Sequence, residues 1–480
     1  MDLNNFFAKM FGEITEFEEK TGKVTSYLLL IAVSAYTIVF SYITCLRHWS
    51  FYSAHLDLGA FEQAFWTTLH GMFFYDSMHG MSHFGIHNSP ILVTFLPIYY
   101  LFPHSETLLI AKTILLAFAA IPLYYIGKHY LGGGGGLTIS LVYLSYPALH
   151  GVNIFDFHEV AFVPIILFSA IYFLLTERTK YFIVLSLLCL LVKEDIPLVL
   201  FMLSLFALYT KRYQSSLEKY VLYGTLILYP LWLYLSLAVI IPYFSPDGYI
   251  HTERYVLDDG IASLIFPNIE LKIIYLALLF APLLLTPFLA PEFLILAGPT
   301  FAEILFQSPI VYRITTHYSA IFIPIIFTAS ILGIHRVVLN YSSCYPNMKR
   351  NFLCLLLITG VVSGLFCTPA PISPFTLYHT FSDNKAEWIL NEHTQLLEEA
   401  LTLIPADASV ATQNNLAAHL SKRMELYLSY RPGVEYIFFD ETTLHEKWLN
   451  YFDTFESFPR EEYDLIFSND GIWLFKLREA

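Results

Sequence analysis

The feature that most limits what this chain can fold into is the recurrence, from Tyr27 to Cys367, of apolar runs about 20 residues long. A helix rises about 1.5 Å per residue, so a run of that length crosses the roughly 30 Å of bilayer hydrocarbon. Charged residues make up only 14% of the 480 residues and hydrophobic ones 56%, with a mean hydropathy of +0.56. A soluble protein carries about 25% charge. The expected fold class is therefore an α-helical polytopic membrane protein. Spans are expected near 26–46, 106–128, 133–150, 159–176, 179–193, 195–210, 220–242, 271–289, 291–307, 317–335 and 351–368, about eleven transmembrane helices.

Charge placement gives an orientation. Residues 1–25 are polar, and the run Tyr27–Leu46 is too long for a signal-peptide core, so it reads as a retained anchor. Lys9, Lys20 and Lys23 precede it; Lys128, Arg178, Lys180, Lys211, Arg212, Lys219, Arg336, Lys349 and Arg350 fall in every second loop. By the positive-inside rule these loops and the N-terminus are expected on the cytoplasmic side of the plasma membrane. An odd number of spans then places residues 369–480 outside. That tail reads as a small extracytoplasmic α/β domain over 381–480, joined by a linker at 369–380 carrying Pro369, Pro371 and Pro374. Helices are expected at Lys385–Leu403, Asn415–Leu420 and Thr442–Tyr451, and strands at Ser409–Thr412, Tyr436–Asp440, Asp464–Ser468 and Ile472–Lys476.

The tail holds 8 Lys/Arg against 18 Asp/Glu, so −10 of the net −14 lies there. With no basic patch to neutralise phosphates along a duplex, nucleic acid is excluded as a partner. The five cysteines fall in or beside apolar segments without a CxxC pair and read as small hydrophobes. Gly132–Gly136 lacks the Lys-Ser/Thr ending of a P-loop and reads as a cytoplasmic turn.

The same topology sends the informative polar residues to one membrane face: His55, Asp57, Glu62 and Gln63 in the loop 47–105, then His79, His83 and His87, then Asp156, His158 and Glu159, then Lys193, Glu194 and Asp195, then the loop Asp247–Asp259, then Arg313 and His317. Asp57, heading an aromatic-rich segment at the surface, is a candidate general base or a helix N-cap. His79, His83 and His87 are four apart; on one helix they would share a face and could bind a divalent metal, but Gly80, Gly85 and Pro90 oppose a regular helix. Asp156, His158 and Glu159 are a carboxylate–histidine group that either works on substrate or caps the fourth span. Three charges at Lys193–Asp195 would each cost about 2.5–3.5 kcal/mol in hydrocarbon, so they face a polar cavity or pair with one another. Arg254 and Arg313 are candidate phosphate forks. Phe61–Leu69 and His87–Phe102, the latter with Pro90 and Pro97, read as helices lying along the interface.

These residues carry a resemblance. The segments His55-x-Asp57-Leu58-Gly59-x-x-x-Gln63-x-x-Trp66, His83-Phe84-x-x-His87-x-Ser89-Pro90, Asp156-Phe157-His158-Glu159 and His317-Tyr318-Ser319-Ala320, with the tail, are similar to an uncharacterised prokaryotic predicted-membrane-protein family. The order of features resembles the GT-C glycosyltransferases, which have an acidic residue in the first external loop, interfacial helices and a Lys-x-x-Pro pattern like Lys193–Pro197 with one residue extra. Paired acids are replaced here by Asp57-Leu58. The resemblance implies a membrane glycosyltransferase taking a sugar from a polyprenyl-phosphate donor to an unnamed acceptor at the outer face, with Asp57 as base. His55, Glu62, Gln63, His83, His87, Asp156, His158, Glu159, Lys193, Glu194, Asp195, Arg313 and His317 would bind substrate. It implies no certain cofactor, a divalent metal being an open alternative. The rival expectation is a transporter or flippase with Lys193–Asp195 as its coupling site.

Overall fold

The computed structural model describes residues 3–245, 248, 267–341, 343–345, 347–370, 388–443 and 458–478. The loop holding Asp247, His251, Glu253, Arg254, Asp258 and Asp259 lies outside the described residues, as do most of the linker and of the expected Thr442–Tyr451 helix.

The first helix runs unbroken from Leu3 to Trp49, so the polar N-terminal segment and the first span are one rod. The stretch Ser105–Leu144 is 40 residues of apolar helix, but it is a hairpin rather than one long crossing. Gly132 has φ 78°, a conformation that a side chain resists, and the chain reverses there. The two limbs touch backbone to backbone: a Cβ on Gly136 would lie 2.6 Å from Tyr124 O and 2.9 Å from Lys128 N. Ser140 Oγ donates to Ala120 O (3.0 Å) and Tyr143 OH to Leu116 O (2.8 Å), closing the hairpin.

Gly22–Trp49, Ser216–Phe244, Ile323–Tyr341 and Met348–Phe366 are also long and apolar enough to cross a membrane. Glu159–Leu175, Thr179–Leu190 and Pro197–Tyr209 are shorter apolar helices. Continuous spans expected at 271–289 and 291–307 do not form. The helix Ile269–Phe280 stops at a 3-10 turn, Leu284 and Leu285 take positive φ, and Pro291–Leu294 and Gly298–Leu305 are separate short helices. Pro282, Pro287, Pro291 and Pro299 each remove an N–H from the helical ladder, which is the physical reason.

The core is unusually aromatic, and its hydroxyls are matched inside the protein, as a segment shielded from water requires. Tyr124 OH meets Thr25 Oγ1 (2.8 Å), Tyr229 OH meets Ser186 Oγ (2.7 Å), Tyr275 OH meets Ser319 Oγ (3.1 Å) and Tyr146 OH donates to Leu279 O (2.5 Å).

The C-terminal domain is a five-stranded mixed sheet. Its strands are β3 (Val410–Thr412), β4 (Leu426–Tyr427), β5 (Tyr436–Asp440), β6 (Tyr463–Asn469) and β7 (Ile472–Leu477), in the order β4-β3-β5-β7-β6. A two-stranded ribbon, β1 (Tyr75–Asp76) with β2 (Met81–Ser82), lies in the first loop. Four of the five sheet strands were expected; β4, two residues long, carries too little pattern to read. Strand alternation gives two cores. Tyr436 and Phe438 face the helix Glu392–Thr402, while Ile437 and Phe439 face Phe458 and Phe475. Phe51, from the end of the first membrane helix, belongs to the first of these cores. The domain is thus seated on the loop that carries Asp57.

Candidate functional site

Asp57 lies in a π-helical turn, His55–Gly59, that passes directly into the helix Ala60–Leu69. Such wide turns are rare and concentrate at functional sites. Gly59 makes this one possible: a Cβ there would sit 2.3 Å from His55 Nδ1 and 2.8 Å from Ser421 Oγ. Leu56 N–H donates to Asn414 Oδ1 of the C-terminal domain (3.0 Å), pinning the turn from above. The Asp57 side chain is 24% exposed.

Its partner comes from the junction of the third and fourth spans. His158 Nε2 donates to Asp57 Oδ1 at 2.8 Å, and His158 Nδ1 faces Glu159 Oε2 at 3.6 Å. Burial works to keep His158 neutral, but the hydrogen bonds and charges of Asp57 and Glu159 outweigh it and push its pKa up to about 9. The ring is therefore an imidazolium at neutral pH. His317 stacks on it with centroids 3.6 Å apart and planes at 18°. Glu159 is buried with neither carboxylate oxygen hydrogen-bonded among the described residues, and Asp57 Oδ2 makes no bond there either.

Two further segments close around this centre. His83 packs on Phe61 (4.6 Å); burial is the main cause that draws its pKa down to about 4, and its Nε2 has no hydrogen-bond partner among the described residues. His87 Nδ1 bonds Glu194 Oε1 at 2.7 Å, and Asn88 N–H donates to Glu194 Oε2 at 3.1 Å, drawing the break between two short helices onto the first loop. In that break Lys193 Nζ lies 3.6 Å from Asp195 Oδ2 and 5.7 Å from the centre of the Tyr318 ring. It is close enough to Glu159 to feel its charge.

Other sequence candidates sit near the centre but are held by protein groups. Asp156 forms an ion pair with Arg47 and accepts from Ala54 N–H (2.8 Å). Glu62 is buried, accepting from Ser105 Oγ (2.5 Å) and Tyr99 OH (3.4 Å); burial raises its pKa to about 7. Gln63 Nε2 donates to Ser77 Oγ (2.9 Å) and Arg423 O (2.8 Å). His55 faces Asp76 Oδ1 (3.6 Å), and Asp76 also bonds His79; those two histidines hold its carboxyl well below the usual range although burial opposes them. Arg313 is half-buried in the turn before His317 and makes no ion pair among the described residues. His79, His83 and His87 do not share a helix: a ribbon and a 3-10 turn separate them. Among the described residues no group of three or more His, Cys, Asp or Glu is set to hold a metal.

Two positioning residues escaped the sequence reading. Lys112, fully buried inside a span, bonds Phe155 O, and Arg47 holds Asp156, so the two cations fix the start of the turn that delivers His158. A lone cation within an apolar run was the available signal. The assembled centre can accept a proton at Asp57 and hold an anion against the imidazolium of His158 and the ammonium of Lys193.

The sequence matches the family model described as Predicted membrane protein (DUF2079) over residues 47–464. No curated protein sequence matches. A crystal structure of ArnT from Cupriavidus metallidurans bound to undecaprenyl phosphate is similar in fold, with a TM-score of 0.54 and 11% identity over 94% of this chain and 98% of that chain. The fold is of the GT-C type.

Proposed function

This chain belongs to the DUF2079 family of predicted membrane proteins, and from that membership and its GT-C fold we propose that it is a glycosyltransferase working on a polyprenyl-phosphate-linked sugar. The neighbour of the same fold was crystallised with undecaprenyl phosphate, which supports a lipid phosphate as the carrier here. The observation that carries the reading is the Asp57–His158 pair: one Asp57 oxygen is fixed by the imidazole at 2.8 Å and the other is left open on a partly exposed turn.

In the reaction an acceptor hydroxyl attacks C1 of the donor sugar. A C1–O(acceptor) bond forms, and the C1–O(phosphate) bond breaks with its electron pair leaving on the lipid phosphate. Asp57 takes the hydroxyl proton through its open oxygen, a contribution of typically 10²–10⁴-fold in rate. Lys193 and the imidazolium of His158 stabilise the charge that grows on the phosphate. His83, His87, Glu159, Glu194, Asp195 and His317 shape the pocket, and Arg313 closes on the phosphate.

The test is release of lipid phosphate and transfer of label from a panel of radiolabelled polyprenyl-phosphate sugars by the purified full-length protein and by Asp57→Asn. Turnover of one donor by the wild type, lost in a folded Asp57→Asn, is the expected result. Movement of intact donor across a liposome without cleavage would replace the proposal with a flippase.

A further inference from the structure

At the far end of the bundle from Asp57 lies a cavity of about 790 Å³, beside the Gly132 reversal. The limb Ser105–Gly132 separates the two ends: Ser105 bonds Glu62 beside the Asp57 turn, and 27 helical residues rise about 40 Å to the reversal. Three cations line the cavity, Lys128, Lys349 and Arg350, and the described lining holds no carboxylate. All three side chains are exposed, and none forms an ion pair among the described residues.

The wall is built for close approach. A Cβ at Gly132 would lie 3.6 Å from Lys349 Nζ, and one at Gly22 would lie 3.4 Å from Lys128 Nζ, so the ammonium groups rest over bare backbone where the first helix, the hairpin and the helix Met348–Phe366 meet. Beyond the cations the lining turns apolar, with Leu131, Leu353 and Leu357. Positive groups at the mouth above an apolar wall between helices match a phospholipid, phosphate at the charges and acyl chain along the leucines. Basic pockets of this kind between membrane helices on the cytoplasmic side take anionic headgroups, and the Lys/Arg excess assigns this end to that side.

We propose that the cavity beside Gly132 binds the phosphate headgroup of an anionic phospholipid, separate from the donor site and independent of the reaction catalysed there. A diphosphate lipid such as cardiolipin engages two or more of the cations at once, and a zwitterionic lipid engages none productively.

The experiment is native mass spectrometry and thermal unfolding of the full-length protein in detergent, with cardiolipin, phosphatidylcholine or inorganic phosphate added. It compares the wild type with Lys128→Gln/Lys349→Gln/Arg350→Gln. Wild type should retain cardiolipin and gain Tm with it, and the triple variant should bind it about 100-fold more weakly, since each cation at a phosphate surface contributes roughly a factor of five. Equal cardiolipin retention in variant and wild type, or equal retention of phosphatidylcholine, overturns the proposal. A Tm gain from inorganic phosphate alone, with the same dependence on the three cations, reassigns the cavity to a free anion and overturns the lipid. Should the triple variant fail to fold, Lys349→Gln/Arg350→Gln, both exposed at one helix start, gives the same readout.

Discussion

Asp57 and His158 lie 101 positions apart in the chain and are joined by a 2.8 Å hydrogen bond. The bond ties the first loop to the start of the fourth span, so it reports both the chemistry of the centre and the packing that creates it.

Replacing Asp57 by Asn keeps the shape but removes the proton acceptor. Sugar transfer should fall by about 10²–10⁴-fold, and Tm at neutral pH should fall with it, because the charge of Asp57 helps keep the buried His158 protonated. Circular dichroism and donor-cleavage assays on the same preparation check both halves. Undiminished turnover would remove Asp57 from the role of base.

The raised pKa of His158 links stability to pH. Its folded value is about 9 against an ordinary 6.5, so the stabilisation is fully present below about pH 6.5 and is lost as pH rises through about 9. The full effect is of the order of 3 kcal/mol. Thermal unfolding of wild type and His158→Gln from pH 6 to 10 should show wild type losing its advantage across that window; parallel curves would sink the assignment of an imidazolium.

Glu62 is a second pH reporter, caused by burial rather than by a partner. With its pKa raised to about 7, its contribution is greatest below about pH 4.5 and is lost as pH rises through about 7, where a charge must be held inside. Glu62→Gln should abolish that part of the pH dependence between pH 5 and 8 and be at least as stable as wild type at pH 8. A variant markedly less stable at pH 8 would show that the ionised form is favoured.

Gly151 sets where His317 stands. A Cβ there would fall 1.6 Å from Ile314 O, three residues before the histidine that stacks on His158. Gly151→Ala should cost about 1–3 kcal/mol through overpacking and should lower turnover beyond what the stability loss explains. Tm and kcat measured together separate the two.

The C-terminal domain braces the helix that follows the Asp57 turn through Gln63. Its amide serves Ser77 N–H (3.0 Å) as well as Ser77 Oγ and Arg423 O. Gln63→Ala strands these buried groups, at about 1–3 kcal/mol, and limited proteolysis should then release the domain faster. Unchanged cleavage rates would mean that the remaining contacts, among them Leu56 N–H to Asn414 Oδ1 (3.0 Å), Phe51 and the His48–His419 stack (4.2 Å), hold the domain without Gln63.

The sequence by itself determined the class of molecule. Apolar runs of membrane length and scarce charge admit few alternatives to a helical membrane protein, and the short aromatic and apolar run Tyr436–Phe439 fits a buried strand. Its charge placement also gave the expectation that Asp57, His158, Lys193 and His317 share one membrane face. Which group meets which was decided by the tertiary structure. Asp57 takes His158 while Asp156, two residues before that histidine, takes Arg47, both in the turn that follows the helix Pro147–Ile154. The π-turn at His55–Gly59 and the embrace of the first loop by β4 depend on contacts between segments as far as 360 residues apart. Hydropathy is a property of neighbours in the chain; those pairings follow from backbone approach at Gly59, Gly136 and Gly151, which only the packed helices define.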